Sequence, residues 1–484
     1  MKLQRVGAFV GVVLLSSVIG MSLAFAEDPF KPFGGFLKKQ AEKDAAEQRY
    51  VGAQKGKKKK PGGGGQVARR NINYAGYSGK FLTVKVLLAA GKAQEAYQFQ
   101  QKKLEESKKE PNLLFSLEQA TIALDANKPL EAREHLAYAE RLLDNRQDRS
   151  VSGGFFKELG SEIIKAGGFS EFGEYKGEAY ERILMLNFKS IAYMLEGSRK
   201  AYNVTRRAID WQNQEKKAFD QKIDEVKEKL KEEEETQTEK GNDLGSLNLF
   251  GVISEQYKSS RSKALQVSSA FVNPFGFYMA GIVQEFDSYE DPSLRDNARI
   301  SYKKALELNP DSKVIKQSIQ EIQEKAPQNK RLVQIVVADG FAPEKKVLRF
   351  DYLVDGNTVP IKLTIYEPDE SLVDRIEVQS ADGNKLTTLS NVADIDAITL
   401  RHQYDSLPEQ HLRMSLAIIR SVFENKLFEK TGIFGAIAKQ FREDTTNPDT
   451  RSWMSMPKQI LAARLYLPKD SGALRLVSYD KKGK

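Results

Sequence analysis

The chain has 484 residues, a formal net charge of +9 and no cysteine. This length exceeds what a single hydrophobic core organises, and ~150 residues per domain predicts roughly two to four folding units. The lack of cysteine excludes disulfides, thiolate metal sites, a cysteine nucleophile and lipid attachment to a cysteine.

Residues 1–26 have the pattern of a signal peptide. Lys2 and Arg5 precede an apolar run, and the segment ends in Ala24-Phe25-Ala26, the small-x-small pattern that signal peptidase recognises. We expect cleavage before Glu27 and a periplasmic or outer-membrane-associated mature protein. The alternative is an uncleaved N-terminal helix that anchors the chain in the inner membrane.

Residues 27–78 are rich in glycine and lysine with isolated aromatic residues, a composition that predicts a flexible, basic tether. The net positive charge is concentrated in this stretch, because Lys57–Lys60, Arg69 and Arg70 all lie in it. Such a run is typical of a solvated tether, and the alternative is contact with an anionic surface. No specific nucleic-acid partner is predicted.

Residues 79–326 have helical periodicity, and one pair of helices in this range has the spacing of a tetratricopeptide hairpin. Ala298, Tyr302, Ala305 and Pro310 follow one another at offsets of four, three and five. Small residues allow two helices to approach closely, the tyrosine fills the gap, and proline ends the helix. Gly281 fits the close-approach position on the first helix.

Three further hairpins are predicted earlier in this range, the first of them degenerate. The predicted structural repeat positions are Ala120, Ala132, Ala139, Tyr193, Gly197, Ala201, Ala208, Gly281, Ala298, Tyr302, Ala305 and Pro310.

Residues 213–271 interrupt the repeats with a highly charged segment. Phe219, Ile223, Val226 and Leu230 form a narrow apolar seam of the coiled-coil type along one helix. This pattern predicts an inserted long helical hairpin, which projects from the repeats and folds mainly on its own returning helix.

Residues 327–484 change to a period of two, with β-branched runs separated by Asp-Gly and Gly-Asn turns. A helical segment over 394–441 and two closing strands complete a predicted α+β domain. The whole chain is therefore predicted to be mostly α, with tetratricopeptide-like hairpins, an inserted hairpin and a C-terminal α+β domain.

Six stretches carry a resemblance to a known family: YERILMLNFKSIAYMLEG, NPFGFYMAGIVQE, YKKALELNP, VVADGFAPEK, NVADIDAI and TRSWMSMPKQILAARLYLP. In these stretches the chain resembles uncharacterised bacterial envelope proteins with tetratricopeptide-like repeats, most of them lipoproteins. The resemblance covers residues 111–467 with gaps. The resemblance implies envelope-protein partners, including small outer-membrane lipoproteins, and brings no catalytic residues. This chain departs from the family because it lacks the lipobox cysteine.

Candidates for chemistry are few. The chain has three histidines, His135, His402 and His411, and none lies in a metal-binding or catalytic motif. Asp394 and Asp396 are interpreted as helix-capping residues, with an acid–base pair as the alternative. We therefore predict no catalytic, cofactor-binding or metal-binding residue.

Trp453 is interpreted as a lid on the domain core, with an exposed contact for a partner as the alternative. Together these observations predict a non-enzymatic envelope scaffold or adaptor that binds a protein partner through its helical repeats. The alternative is a hydrolase or a carbohydrate-binding protein with its site in the C-terminal domain.

Overall fold

The computed structural model describes residues 12–17, 66–73, 77–150, 175–324, 326–368, 373–424 and 448–483. The described chain is mostly α-helical with small sheets that are largely antiparallel. The predictions for Lys57–Lys60 and for the cleavage site near Ala26 lie outside these residues.

Thirteen α-helices are present in the described residues. In chain order they are α1 Tyr77–Ala89, α2 Ala93–Ser107, α3 Leu113–Asp125, α4 Pro129–Ser150, α5 Ala179–Leu195, α6 Ala201–Glu239, α7 Leu249–Gln256, α8 Lys258–Ala264, α9 Pro274–Asp287, α10 Leu294–Leu308, α11 Lys313–Glu321, α12 Ile395–Asp405 and α13 Leu407–Ile418.

Consecutive helices pack in pairs, α1 with α2, α3 with α4, α5 with α6 and α9 with α10. Ala298, Tyr302 and Ala305 on α10 are all fully buried. A Cβ atom added to Gly281 on α9 would lie 2.5 Å from the Tyr302 ring, so the two helices approach as closely as the spacing predicts. Helix α10 ends at Leu308, two residues before Pro310.

All but one of the other predicted repeat positions are buried or half-buried. Ala120, Ala132, Ala139, Ala201 and Ala208 are buried, and Tyr193 is half-buried. Gly197, in contrast, lies in the turn between α5 and α6 with a φ of +68°. It allows the left-handed turn there and is not a helix-packing residue.

The predicted projecting arm is wrong. Helix α6 is a single helix of 39 residues, and Ile223, Val226 and Leu230 on its seam are buried. Yet α6 packs on α13, and Val226 and Leu230 share a hydrophobic cluster with α7, α13 and the strands that carry Leu348 and Ile361. A narrow apolar stripe requires a partner, and this one packs against the C-terminal part of the chain in addition to its returning helices.

The strands follow the period-two pattern of the C-terminal part, and two more precede the helices. They are β1 Val12–Ser17, β2 Gln66–Asn73, β3 Lys330–Asp339, β4 Glu344–Val354, β5 Asn357–Glu367, β6 Arg375–Gln379, β7 Lys385–Thr388, β8 Ser390–Asp394, β9 Gln459–Pro468 and β10 Arg475–Tyr479.

Within the described ranges these strands form three sheets, with strand orders β1-β3-β9-β8, β10-β6-β7 and β2-β4-β5. Strand β2 pairs antiparallel with β4, so the predicted tether ends earlier than residue 78. Strand β1 lies within the predicted signal peptide and pairs parallel with β3.

The helical pairs and the first sheet share one hydrophobic cluster. It includes Leu117 of α3, Phe188 of α5 and Ile282 of α9 together with Val336 of β3 and Ala462 of β9. The first helices of three successive pairs therefore cover one face of this sheet. The chain's own C-terminal part therefore occupies this face of the helices.

Candidate functional site

Residues 448–458, which we call the strap, run directly into β9 and have the sequence PDTRSWMSMPK. Residues 452–457 of the strap are all buried. Buried backbone outside a helix or sheet must find partners for its N–H and C=O groups. Side chains from α3 and α5 supply several of them.

Glu118, inside α3, is fully buried and contacts the strap through both carboxyl oxygens. It accepts hydrogen bonds from the backbone N–H of Met454 at 2.6 Å and of Ser455 at 2.9 Å, and the Ser455 hydroxyl contacts the same carboxyl. Burial raises the pKa of Glu118 to about 8 in spite of these hydrogen bonds. The carboxyl therefore holds a proton at neutral pH, and α3 is joined to the strap without a charge.

Glu181, in the first turn of α5, has an equivalent role at the preceding strap residue, Trp453. Its carboxyl accepts hydrogen bonds from the backbone N–H of Trp453 at 2.8 Å, from that of Glu178 at 2.7 Å and from the Tyr175 hydroxyl at 2.5 Å. Burial and then the neighbouring Glu178 raise the pKa of Glu181. One carboxyl thus caps the helix and holds the strap.

Trp453 is enclosed at the centre of these contacts and is 1% exposed. Its indole N–H lies 3.2 Å from the Thr121 hydroxyl and 3.1 Å from the Ser455 hydroxyl, and its ring meets Phe188 edge to face at 5.8 Å. The interpretation of Trp453 as a lid on the core agrees with this placement. The alternative, an exposed contact for a partner, does not, because the ring is covered by α3 and α5.

Beside the strap, Glu178 accepts a hydrogen bond from the Lys345 ammonium at 2.7 Å, and Nε2 of His402 lies 3.7 Å from the other oxygen. Burial opposes ionisation, but Lys345 and His402 outweigh it and hold the pKa of Glu178 well below its usual range. Burial lowers the pKa of His402, whose ring packs against Tyr180 at 5.3 Å. The group is therefore a buried ion pair of Glu178 and Lys345 with the His402 imidazole beside it.

The three histidines lie in separate surroundings. The ring of His402 is within 5.4 Å of Phe219, that of His411 is 5.9 Å from Phe250, and His135 lies beside Tyr97. In the described part of the chain, no three His, Asp or Glu residues come close enough together to hold a metal ion.

The two aspartates of the NVADIDAI stretch have different roles. Asp394 caps α12 by accepting a hydrogen bond from the Ala397 N–H at 2.9 Å, as predicted, and pairs with Lys263. Asp396 is 1% exposed and lies 3.0 Å from the Lys458 ammonium of the strap. Burial raises the pKa of Asp396 to about 7 although Lys458 lowers it. Asp396 can therefore exchange a proton near neutrality, but the strap covers it.

A second junction joins the helices to β9 itself. The Arg464 side chain is fully buried, and its guanidinium donates to both oxygens of Glu285 on α9 at 2.5 and 2.7 Å and to Glu321 on α11 at 2.6 Å. The Tyr302 hydroxyl donates to Glu285 at 2.8 Å. Burial opposes the charge, but Glu285 outweighs it and raises the pKa of Arg464 further above its usual range.

A regular pattern emerges from these contacts. Each first helix of three successive pairs contributes one buried glutamate, Glu118 from α3, Glu181 from α5 and Glu285 from α9, and each glutamate holds a residue of the strap or β9. Sequence reasoning missed all three. The available signal was a single carboxylate inside an apolar run, as in LLFSLEQATIAL.

Comparisons of this chain with protein-family models, with curated proteins and with solved structures find no match. The inference of function therefore depends on the geometry of the junctions and of the surfaces that they leave exposed.

Proposed function

We propose that the protein is a non-enzymatic scaffold or adaptor of the bacterial cell envelope that binds a protein partner through tetratricopeptide-like helical pairs. The observation that carries the proposal is the use of Glu118, Glu181 and Glu285. These buried carboxyl groups, which would be the first candidates for catalysis, accept hydrogen bonds from the chain's own strap and strand. Their geometry favours holding two parts of the molecule together over acting on a substrate.

The same contacts leave the first helices of the pairs, α3, α5 and α9, covered by the chain itself, so we place the proposed partner site elsewhere. Because α3, α5 and α9 pack on the chain's own sheet, we assign partner recognition to the second helices of the pairs and their turns. Large apolar side chains are exposed there, with Leu130 of α4 at 52%, Ile300 of α10 at 47% and Tyr289 before α10 at 45%. We propose that these side chains contact the partner protein.

The alternative, a hydrolase or carbohydrate-binding protein with its site in the C-terminal part, depends on Asp396. Its pKa of about 7 suits a general acid, but the side chain faces Lys458 under the strap. Under this alternative, Asp396→Asn abolishes turnover or sugar binding while the protein stays folded. Under the adaptor proposal, the same variant keeps partner binding.

Cross-linking in whole cells tests the adaptor proposal. The tagged chain is compared with Leu130→Asp and Ile300→Asp, and Leu386→Asp in β7, where the parent side chain is 39% exposed, is the control on another surface. We expect the helix variants to lose a cross-linked envelope protein that the control retains. Loss in the control alone would place recognition on the sheets and overturn the assignment to the repeats.

Export is part of the same proposal. In the described residues no helix combines the length and the apolar character that a membrane span requires. We propose cleavage after Ala26 and a periplasmic or outer-membrane-associated product, with the Lys57–Lys60 run as an additional contact to anionic surfaces. N-terminal sequencing decides the first point, since a product that begins at Met1 in the membrane pellet would support the anchor alternative. Binding to anionic vesicles that resists high salt would contradict an electrostatic role for the lysines.

A further inference from the structure

Strand β3 lies between two strands, β9 and β1, that come from distant parts of the sequence. On one side it pairs antiparallel with β9 along its whole length. On the other side its residues Gln334 to Asp339 pair in parallel register with Val12 to Ser17 of β1. Strand β1 also lies against α3 and α5, so it fills a slot between the edge of β3 and the two helices.

The slot is lined on both faces by buried groups. Val336 of β3 belongs to the cluster shared with the helices, whereas Ile335 and Val337 belong to a second cluster with β6. All six paired residues of β3 are buried. An empty slot would leave the outer N–H and C=O groups of β3 without strand partners in apolar surroundings, which is unfavourable.

We propose that in the mature protein this slot binds an extended apolar segment of a partner polypeptide, which adds to β3 as a parallel strand in the place of residues 12–17. The proposal rests on the proposed function, because cleavage after Ala26 removes β1 and opens the slot.

The chemistry of the occupant follows from the strand that fits. VVLLSS is uncharged, with two β-branched residues and two leucines followed by two small hydroxyl residues. A partner segment of the same kind satisfies the backbone of β3 by hydrogen bonds and the two faces by apolar packing. Since a parallel neighbour needs no short connection to β3, a separate chain serves as well as the leader.

A peptide probe tests the slot directly. The labelled peptide KKVVLLSSKK is titrated against purified residues 27–484 and against the full chain, with fluorescence anisotropy as the readout. We expect saturable binding to residues 27–484 and none to the full chain, whose own strand fills the slot. A second peptide has proline in the place of Leu14. Because proline has no N–H and disfavours the strand geometry, this peptide should bind at least about tenfold more weakly.

The register is tested by disulfide trapping, which is clean because the chain has no cysteine. Leu14 and Val336 are register partners in the pairing of β1 with β3. A peptide with Leu14→Cys should cross-link to the Val336→Cys variant of residues 27–484, and a peptide with Ser17→Cys should not. The proposal is wrong if both cysteine peptides are trapped equally, or if the proline peptide binds as tightly as KKVVLLSSKK.

The remaining outcomes separate this inference from the proposed function. If residues 27–484 melt cooperatively only after peptide is added, the slot is supported, and if the peptide neither binds nor restores folding, the inference is wrong. A cross-link between Val336→Cys of two copies without peptide would identify a second copy as the occupant and overturn the partner assignment. Protein from cells that still begins at Met1 would contradict the proposed export, while binding of the peptide to residues 27–484 would still support the slot.

Discussion

The junction at Arg464 and the junction at Glu118 join helices to the same short stretch of chain, but they do so with opposite electrostatics. Arg464 remains charged in a fully buried position because Glu285 and Glu321 accept its hydrogen bonds. Glu118 has the N–H groups of Met454 and Ser455 as partners, and burial raises the pKa of its carboxyl to about 8.

The difference follows from the hydrogen-bond partners that each buried group requires. A guanidinium does not lose its proton in a protein, so its burial requires carboxylates and well-oriented hydrogen bonds. A carboxyl group can take up a proton, and backbone N–H groups then suffice as partners. The two junctions should therefore respond differently to mutation and to pH.

The largest effect is expected from Glu285→Ala. This variant leaves the buried Arg464 charge with only Glu321 as a carboxylate partner and should lower the free energy of unfolding by about 3–5 kcal/mol. Denaturant unfolding measures the loss. The control is Glu290→Ala, which removes a surface ion pair with Arg199 and should cost less than about 1 kcal/mol. Adding Arg464→Met to Glu285→Ala should recover part of the loss. A double variant less stable than Glu285→Ala would show that the charge is not the cause.

A smaller effect is expected from Glu118→Ala. The backbone N–H groups of Met454 and Ser455 lose their acceptor but no charge is left unpaired, so the expected cost is about 2–3 kcal/mol in denaturant unfolding. Glu134→Ala on the exposed side of α4 is the control and should be near neutral. If Glu118→Ala costs as much as Glu285→Ala, the distinction between a neutral and a charged junction fails.

The sequence predicts the two junctions unequally. Around Arg464 the small-large-small spacing correctly places Ala298, Tyr302 and Ala305 in a close helix contact, because local periodicity determines which face a helix buries. It does not predict that Glu285 on the facing helix accepts from an arginine 179 positions later. Contacts between distant residues depend on tertiary packing, which periodicity in one chain does not encode.

The same limit explains the main error about α6. Its seam of Ile223, Val226 and Leu230 is visible in the sequence, but the identity of the surface that covers a seam is not. The strands of the C-terminal part were predictable from their period of two and their turns. Their docking on α3, α5 and α9 includes contacts with Glu118, Glu181 and Glu285. In the pattern of a single helix, each of these residues is only a polar residue within an apolar run.

The Glu118 junction should contribute less to stability as the pH rises from about 5 to 8. Glu118 has a usual pKa of 4.5 and a pKa of about 8 in the folded protein. Between these values the unfolded chain releases a proton that the folded chain keeps, so the stabilisation is complete below pH 4.5 and is lost toward pH 8. Asp396, with a pKa of about 7, acts in the same direction.

Unfolding midpoints across this pH range measure the effect. Each group changes the free energy of unfolding by at most about 1.4 kcal/mol per pH unit. In a plot of the free energy of unfolding against pH, Glu118→Gln should therefore remove up to this amount of downward slope. Glu285→Ala should lower the curve without changing its slope, since the pKa of Arg464 lies above its usual range. An identical slope in Glu118→Gln and the parent would contradict a protonated carboxyl at this junction.

The smallest effect is expected from Trp453→Phe, which removes the indole N–H from the Thr121 and Ser455 hydroxyls but keeps a ring against Phe188. Both hydroxyls have other partners, so no buried group is left without a hydrogen bond and the expected cost is about 1 kcal/mol. The chain has two tryptophans, and Trp211→Phe makes Trp453 the sole indole emitter. In that background, Glu118→Ala should shift the emission to the red, because freeing the strap admits water to the ring. Glu285→Ala should leave the emission of the folded protein unchanged, since its junction lies on β9. A red shift in both would mean that the two junctions loosen together.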